Sequence, residues 1–106
     1  AELNLSALPV LEGAEETSAA GILSSLQPAN VRLRRALRNQ QEALSHPRYP
    51  LIFDPQTAGG LLASIPADRV DACLVALRAL GYRHAAAIGR VLGQGEALEP
   101  VVLKLR

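Results

Sequence analysis

The sequence contains one cysteine, no methionine or tryptophan, and only three aromatic residues. A single thiol, Cys73, cannot form an internal disulfide, and no Cys/His spacing typical of a zinc site is present. We therefore expect a reducing, cytoplasmic setting and no metal bound by this chain alone. Aromatic platforms for stacking bases are scarce, which argues against single-stranded nucleic acid as a partner.

An excess of charge and long apolar runs are also lacking. Eleven basic and ten acidic residues give a formal net charge of +1, which provides no strong field to attract a polyanion or an acidic membrane. No apolar run approaches the roughly 20 residues of a membrane span. The start AELNLSAL lacks the basic and apolar regions of a signal peptide. We expect neither export nor membrane anchoring.

The sequence is rich in aliphatic residues, and their number is enough for the core of one domain. With 106 residues and 49% hydrophobic content, the chain can form one compact core but not two. Residues 1–106 are therefore interpreted as a single domain.

Hydrophobic patterns and capping signals predict both strands and helices. They predict strands at residues 2–5, 61–65, 84–91 and 101–105. They predict helices at residues 9–21, at 30–45 with Asn30 as the N-cap, and at 67–80. The last two strands are expected to form a hairpin. This order indicates an α+β fold, a two-layer sandwich of a mixed, largely antiparallel sheet with helices, partly ferredoxin-like.

The segment DPQTAGG, residues 54–60, is the most informative for function. Gly59 and Gly60 allow a positive φ or the close approach of another backbone. Such a loop can direct N–H groups and the Thr57 hydroxyl at one small volume and so hold an anion or a phosphate. Asp54 can accept a hydrogen bond there or lie near a bound cation. One alternative stays open, in which Asp54 and Thr57 only satisfy backbone groups of the loop.

Four arginines cluster on the second predicted helix: Arg32, Arg34, Arg35 and Arg38. They form either a solvated face or a docking surface for an anionic partner or a neighbouring domain. Cys73 lies on the apolar stripe of the third predicted helix and is interpreted as a structural thiol. No residue of the chain is predicted to be catalytic.

The run LIFDPQTAGGLLASIP, followed by a helix and then GYRHAAAIGRV, closely resembles the C-terminal domain of selenophosphate synthetases, also called selenide, water dikinases. The hallmark of that family is an apolar pair, then Phe-Asp-Pro-Gln-Thr-Ser-Gly-Gly-Leu-Leu, a strand, a helix and an Ala-Ile-Ile-Gly-like strand. Looser upstream matches are collinear, so the resemblance covers nearly the whole chain. Ala58 departs from it, because the family usually has Ser there, and one hydroxyl is lost.

The resemblance implies a C-terminal domain fragment of a larger two-domain enzyme, with the fold of the aminoimidazole ribonucleotide synthetase superfamily. The parent enzyme would use ATP and magnesium to convert selenide into selenophosphate, and would be a homodimer. The family's nucleophile and metal ligands lie in its N-terminal part. This chain is therefore expected to be inert alone and to need an N-terminal catalytic domain as its partner.

Only one set of site residues carries over from the family, as a loop facing the ATP and phosphate cleft: Asp54, Gln56, Thr57, Gly59 and Gly60. Two other functions stay open. The chain is either a non-catalytic module that binds a small anion or regulates, or an interaction module that uses the arginine-rich helix.

Overall fold

The computed structural model describes all 106 residues and shows the α+β class that the sequence predicts. The chain forms three short strands, β1 (Glu2–Asn4), β2 (Gly89–Arg90) and β3 (Val102–Lys104). It forms four α-helices, α1 (Ala14–Ala19), α2 (Gln27–Asn30), α3 (Gln40–Ala43) and α4 (Val70–Ala79). Short 3-10 helices cover Leu5–Ala7, Val31–Ala36, Pro50–Phe53 and Ala67–Arg69. The longest α-helix, α4, has ten residues, about half the number that a bilayer span requires.

Strand β1 is the central strand of a mixed sheet with the order β2-β1-β3. It pairs antiparallel with β2, with Glu2 opposite Arg90, and parallel with β3, with Leu3 opposite Leu103. The expected terminal hairpin is wrong, because β2 and β3 pair with opposite sides of β1. A Cβ on Gly89 would overlap the carbonyl oxygen of Glu2, so glycine permits this close approach. The largely antiparallel, ferredoxin-like arrangement stays a prediction.

The outer edge of β3 is covered by residues 36–39. Leu37 forms an isolated parallel bridge with Val101. The Arg38 N–H donates to the Val101 carbonyl at 2.8 Å, and the Val101 N–H donates to the Ala36 carbonyl at 3.1 Å. This segment therefore acts as a short fourth strand.

Asn39 extends this pairing through its side chain. Its Nδ2 donates to the Leu103 carbonyl at 2.7 Å, and its Oδ1 accepts the Leu103 N–H at 2.9 Å. Leu37 is drawn into extended geometry, with φ −97° and ψ 122°. The predicted continuous helix at 30–45 is therefore wrong, because pairing with β3 interrupts it between the 3-10 helix Val31–Ala36 and α3.

The buried core is small and lies in the first half of the chain and at β3. It consists of five apolar residues: Leu5, Ala43, Tyr49, Phe53 and Leu103. The rings of Tyr49 and Phe53 meet edge to face, with centroids 5.3 Å apart. Because Phe53 directly precedes residues 54–60, the core anchors the start of that loop.

Several predicted elements are shorter than expected or absent. The helix predicted at 9–21 is reduced to α1, which Gly13 precedes with a φ of 81°. The strand predicted at 84–91 is reduced to β2, and the strand predicted at 61–65 is wrong, since these residues form no ladder. Both sides of β1 and the outer edge of β3 are already occupied, and residues 61–65 make no backbone hydrogen bond to the remaining edge at β2.

Helix α4 is confirmed at Val70–Ala79, within the predicted range. Its apolar stripe includes Val70, Leu74 and Leu77, which are only half-buried, and no residue of the helix is fully buried. The stripe is therefore incompletely covered within these 106 residues.

Candidate functional site

The loop of residues 54–60 leaves the core at the end of the 3-10 helix Pro50–Phe53. Pro50 is the first residue of this helix, where a proline loses no hydrogen bond and its fixed φ suits the helix start. Asp54 ends the helix in extended geometry, with φ −64° and ψ 124°, and its N–H donates to the Leu51 carbonyl at 3.2 Å. The residue before a proline avoids the helical region, so Pro55 favours this exit. The chain therefore turns outward at Asp54.

Two carboxamides of α2 hold the 3-10 helix from which the loop starts. The Gln27 Nε2 donates to the Pro50 carbonyl at 2.9 Å, and the Asn30 Nδ2 donates to the Phe53 carbonyl at 3.0 Å. Asn30 makes no side-chain capping bond, so its predicted role as an N-cap is wrong. Sequence reasoning missed Gln27 altogether, because no local signal marks a hydrogen bond between residues 23 positions apart.

The loop itself faces solvent. Asp54 is half-buried, and the residues from Gln56 to Gly60 are all exposed. No backbone hydrogen bond involves any residue from 55 to 65. The peptide N–H groups of the loop are therefore free to donate to a group from outside the chain.

Neither glycine of the loop is required by the conformation of this chain. Gly59 and Gly60 do not have a positive φ, so that part of the expectation is wrong. A Cβ on Gly60 would meet nothing within 4 Å, and a Cβ on Gly59 would meet the side-chain oxygen of Gln56 at 3.1 Å. The space beside Gly60 is open, as the close approach of another group would require.

The side chains of the loop make few internal contacts. Asp54 Oδ2 accepts a hydrogen bond of 3.4 Å from the Gln56 carboxamide, while the Thr57 hydroxyl has no partner within the chain. Neither Asp54 nor Thr57 bonds to the loop backbone through its side chain. The alternative in which Asp54 and Thr57 satisfy backbone groups of the loop is therefore not seen in the structure. Asp54 lines a groove of 260 Å³ against α1, together with Glu12 and Thr17.

The four arginines do not join this loop. Arg32 and Arg34 line another groove against α2, and Arg35 is exposed. Arg38 donates to the Glu99 carbonyl at 3.3 Å. None of these guanidinium groups lies within 4 Å of a carboxylate. Their positive charge is therefore not neutralised by ion pairs inside the chain.

Two other reactive or titratable side chains, Cys73 and His46, lie outside the loop of residues 54–60. Cys73 is half-buried on α4. His46 accepts the Arg48 N–H through Nδ1 at 3.1 Å, and its Nε2 lies 3.2 Å from the Ser6 hydroxyl oxygen. Arg48 in turn donates to Glu15 at 2.6 Å and to the Leu8 carbonyl at 2.7 Å. This network ties α1 to the first turn of the chain.

No group of three or more His, Cys, Asp or Glu side chains is arranged to hold a metal ion. The residues present do not fit a magnesium site within this chain alone. The loop fits phosphate better, because its free N–H groups and the Thr57 hydroxyl are all donors.

The sequence is similar to those of several curated proteins, all selenide, water dikinases. A selenide, water dikinase 2 from Peptoclostridium acidaminophilum is 31% identical over 98 residues, which make up 90% of this chain and 27% of that protein. A selenide, water dikinase from Burkholderia pseudomallei is 35% identical over 99 residues, covering 87% of this chain and 26% of that protein. One from Pseudomonas straminea is 33% identical over 98 residues. No family model matches the chain, and no solved structure matches it.

The matches cover most of this chain but only a small part of each relative. The chain spans about a quarter of the length of the curated relatives it matches, whereas the matches with these three relatives take in 86–90% of the chain. Over nearly its whole length, this chain is therefore similar in sequence to one segment of selenide, water dikinases.

Proposed function

We propose that this chain is the C-terminal domain of a selenophosphate synthetase and that residues 54–60 form one wall of its ATP and phosphate cleft. The observation that carries the proposal is the DPQTAGG loop, which faces outward with unbonded N–H groups in a chain similar to selenide, water dikinases. In this role the loop donates hydrogen bonds to phosphate oxygens, where the charge of a phosphoryl transfer is spread.

Each loop residue has a part in this proposal. The N–H groups around Gly59 and Gly60 contact phosphate oxygens directly, because neither residue has a side chain of its own and the space beside Gly60 is open. The Thr57 hydroxyl adds one donor. Asp54 and Gln56 hold each other at the loop start through their 3.4 Å contact. Ala58 provides no hydroxyl, so its N–H is its only donor to phosphate.

The chain alone is proposed to be inert, because it provides only one wall of a cleft. An N-terminal catalytic domain would supply the nucleophile and the metal ligands, and the complete enzyme would act as a cytoplasmic homodimer. ATP and magnesium belong to that complete enzyme, and magnesium would neutralise phosphate charge there. The proposed contacts of the loop with phosphate do not require a metal bound by this chain.

Exposed apolar residues next to the loop support a protein partner. Leu61 is 102% exposed and Leu62 is 75% exposed, and neither has a backbone hydrogen bond. An apolar segment with unpaired peptide groups is suited to joining a sheet edge of a neighbouring domain. Such a partner would also provide the opposite wall for the phosphate loop.

The test joins this chain to the N-terminal part of a selenide, water dikinase and measures selenide-dependent AMP release from ATP. We expect no turnover from the 106-residue chain alone and measurable turnover from the joined protein. The variant Gly60→Val should lower kcat/KM by about 100-fold, because a bulky side chain displaces the phosphate from the loop donors.

Gly93→Val is the matched control, since Gly93 is also exposed and a Cβ there would also meet nothing within 4 Å. It should retain normal turnover. Equal activity in the two variants would contradict the proposed loop role. A joined protein without turnover, in which phosphate still raises the melting temperature of the chain, would favour the non-catalytic anion-binding module.

A further inference from the structure

A second groove lies on the arginine-rich side of α2 and shares Leu23 and Gln27 with the groove that Asp54 lines. It is a depression of 460 Å³ that is open to solvent. Seven residues line it: Leu23, Ser24, Gln27, Pro28, Val31, Arg32 and Arg34. We call this surface the α2 groove.

The α2 groove offers hydrogen-bond donors and positive charge. Arg32 and Arg34 line it without a carboxylate within 4 Å of either guanidinium. The Ser24 hydroxyl oxygen accepts the Leu26 N–H at 3.3 Å, which leaves the hydroxyl hydrogen free to donate. No Asp or Glu lines the groove. This set of donors is complementary to an anion with several oxygens, above all a phosphate group.

The remaining walls of the groove are apolar. Leu23, Pro28 and Val31 provide hydrocarbon surface beside the arginines, and Leu23 remains 50% exposed. A bare phosphate ion would leave this surface uncovered. A phosphate monoester with a body of about nucleoside size would cover it, while Arg32 and Arg34 hold the phosphate.

From this geometry we infer that the α2 groove is a binding site for a small phosphate monoester of the nucleoside monophosphate class. None of residues 54–60 lines the α2 groove, and the inference does not depend on the proposed function of that loop. RNA is a poorer match, because the chain carries a net charge of only +1 and three aromatic residues, whereas strand-binding surfaces combine a basic track with aromatic stacking.

The test titrates the 106-residue chain with AMP, UMP and inorganic phosphate by calorimetry. We expect both nucleotides to bind more tightly than inorganic phosphate. The double variant Arg32→Gln/Arg34→Gln should weaken nucleotide binding by at least about tenfold, because two charge-assisted hydrogen bonds are lost.

The matched control is Arg35→Gln/Arg83→Gln, which removes the same charge from two exposed arginines that do not line the groove. It should change the affinity by less than about twofold. Methyl and amide NMR shifts locate the ligand independently of the variants. Changes at Val31, which does not line the groove beside Asp54, support the α2 groove, whereas changes confined to Gly59 and Gly60 assign binding to the phosphate loop and overturn the inference.

Three further outcomes would overturn it. One is equal weakening in both double variants, which would show general charge attraction. Another is the absence of AMP and UMP binding at millimolar concentrations. The third is tight, salt-sensitive binding of RNA without any binding of the mononucleotides.

Discussion

Asn39 shows how a single side chain decides the course of the backbone around it. Its carboxamide exchanges two hydrogen bonds with the backbone of Leu103, at 2.7 and 2.9 Å. A neighbouring strand residue would make the same two bonds. Leu103 is only 2% exposed, so the bonded groups lie against the core. The side chain thus joins the end of one segment to the most buried strand.

Replacing Asn39 should therefore destabilise the chain. We expect Asn39→Ala to lower the free energy of unfolding by about 1–3 kcal/mol, because the Leu103 N–H and carbonyl lose their partners next to the core. Urea unfolding monitored by circular dichroism measures the change. Gln41→Ala is the control, since Gln41 is exposed on α3 and makes no side-chain hydrogen bond. Equal stability of the two variants would contradict the role given to Asn39.

Two glycines, Gly89 and Gly60, have different roles that their residue type does not reveal. Gly89 is required by the fold, because a Cβ there would overlap the Glu2 carbonyl oxygen, whereas the surroundings of Gly60 are empty. The sequence marks both simply as glycine. Only the structure separates a glycine that packs against its own chain from one whose open side is available to another molecule.

At the scale of elements, α4 is the clearest success of sequence reasoning, yet its packing was unforeseen. Helical spacing of apolar residues identified the helix, but its stripe is only half-buried. Val75 is 68% exposed and Leu80 is 75% exposed on or just beyond the helix. Residues 61–65 show the same pattern, with an apolar composition and no partner. Both elements have sequences suited to burial that this chain alone does not provide.

Because the apolar stripe of α4 is only half-buried, we predict that a substitution in it lowers stability less in the isolated chain than in the joined protein. In the isolated chain, Leu74→Ala should cost less than about 1 kcal/mol, because a half-exposed side chain loses little on truncation. In the protein joined to its proposed N-terminal part, the same change should cost about 2–5 kcal/mol if the stripe is then buried. Denaturant unfolding of both forms, with the exposed Ala72→Gly as a control for helix propensity, measures the two costs. The same small cost in both forms would contradict burial of α4 by the partner.

At the scale of the whole molecule, the chain exposes more surface than its mass predicts. A folded protein of 11.2 kDa exposes about 5,700 Å², whereas this chain exposes 8284 Å². Its radius of gyration is 14.8 Å, compared with about 13 Å for a compact chain of this length. The excess surface is of the size that permanent interfaces bury, which supports an obligate neighbouring domain.

The excess surface leads to a prediction for the isolated chain. It should bind the dye ANS strongly, because dye fluorescence reports exposed apolar surface. Joining the proposed N-terminal part should lower the fluorescence per molecule and raise the melting temperature. A lysozyme-sized, well-packed protein at equal concentration provides the reference signal. If the isolated chain binds no more dye than this reference, its apolar surface is already covered and the partner argument fails.

Local chemistry in the sequence was sufficient to predict the α+β class, helix α4 and a polar loop at residues 54–60, although not the absence of a strand after it. Each depends on neighbours within a few positions, such as the spacing of Val70, Leu74 and Leu77 or the Asp-Pro exit from the core. Strand order, the interruption at Leu37 and the support of the loop by Gln27 and Asn30 were decided only by the tertiary structure. These features depend on hydrogen bonds between residues 23 to 101 positions apart, and a linear pattern carries no signal for which distant backbone group will be the partner.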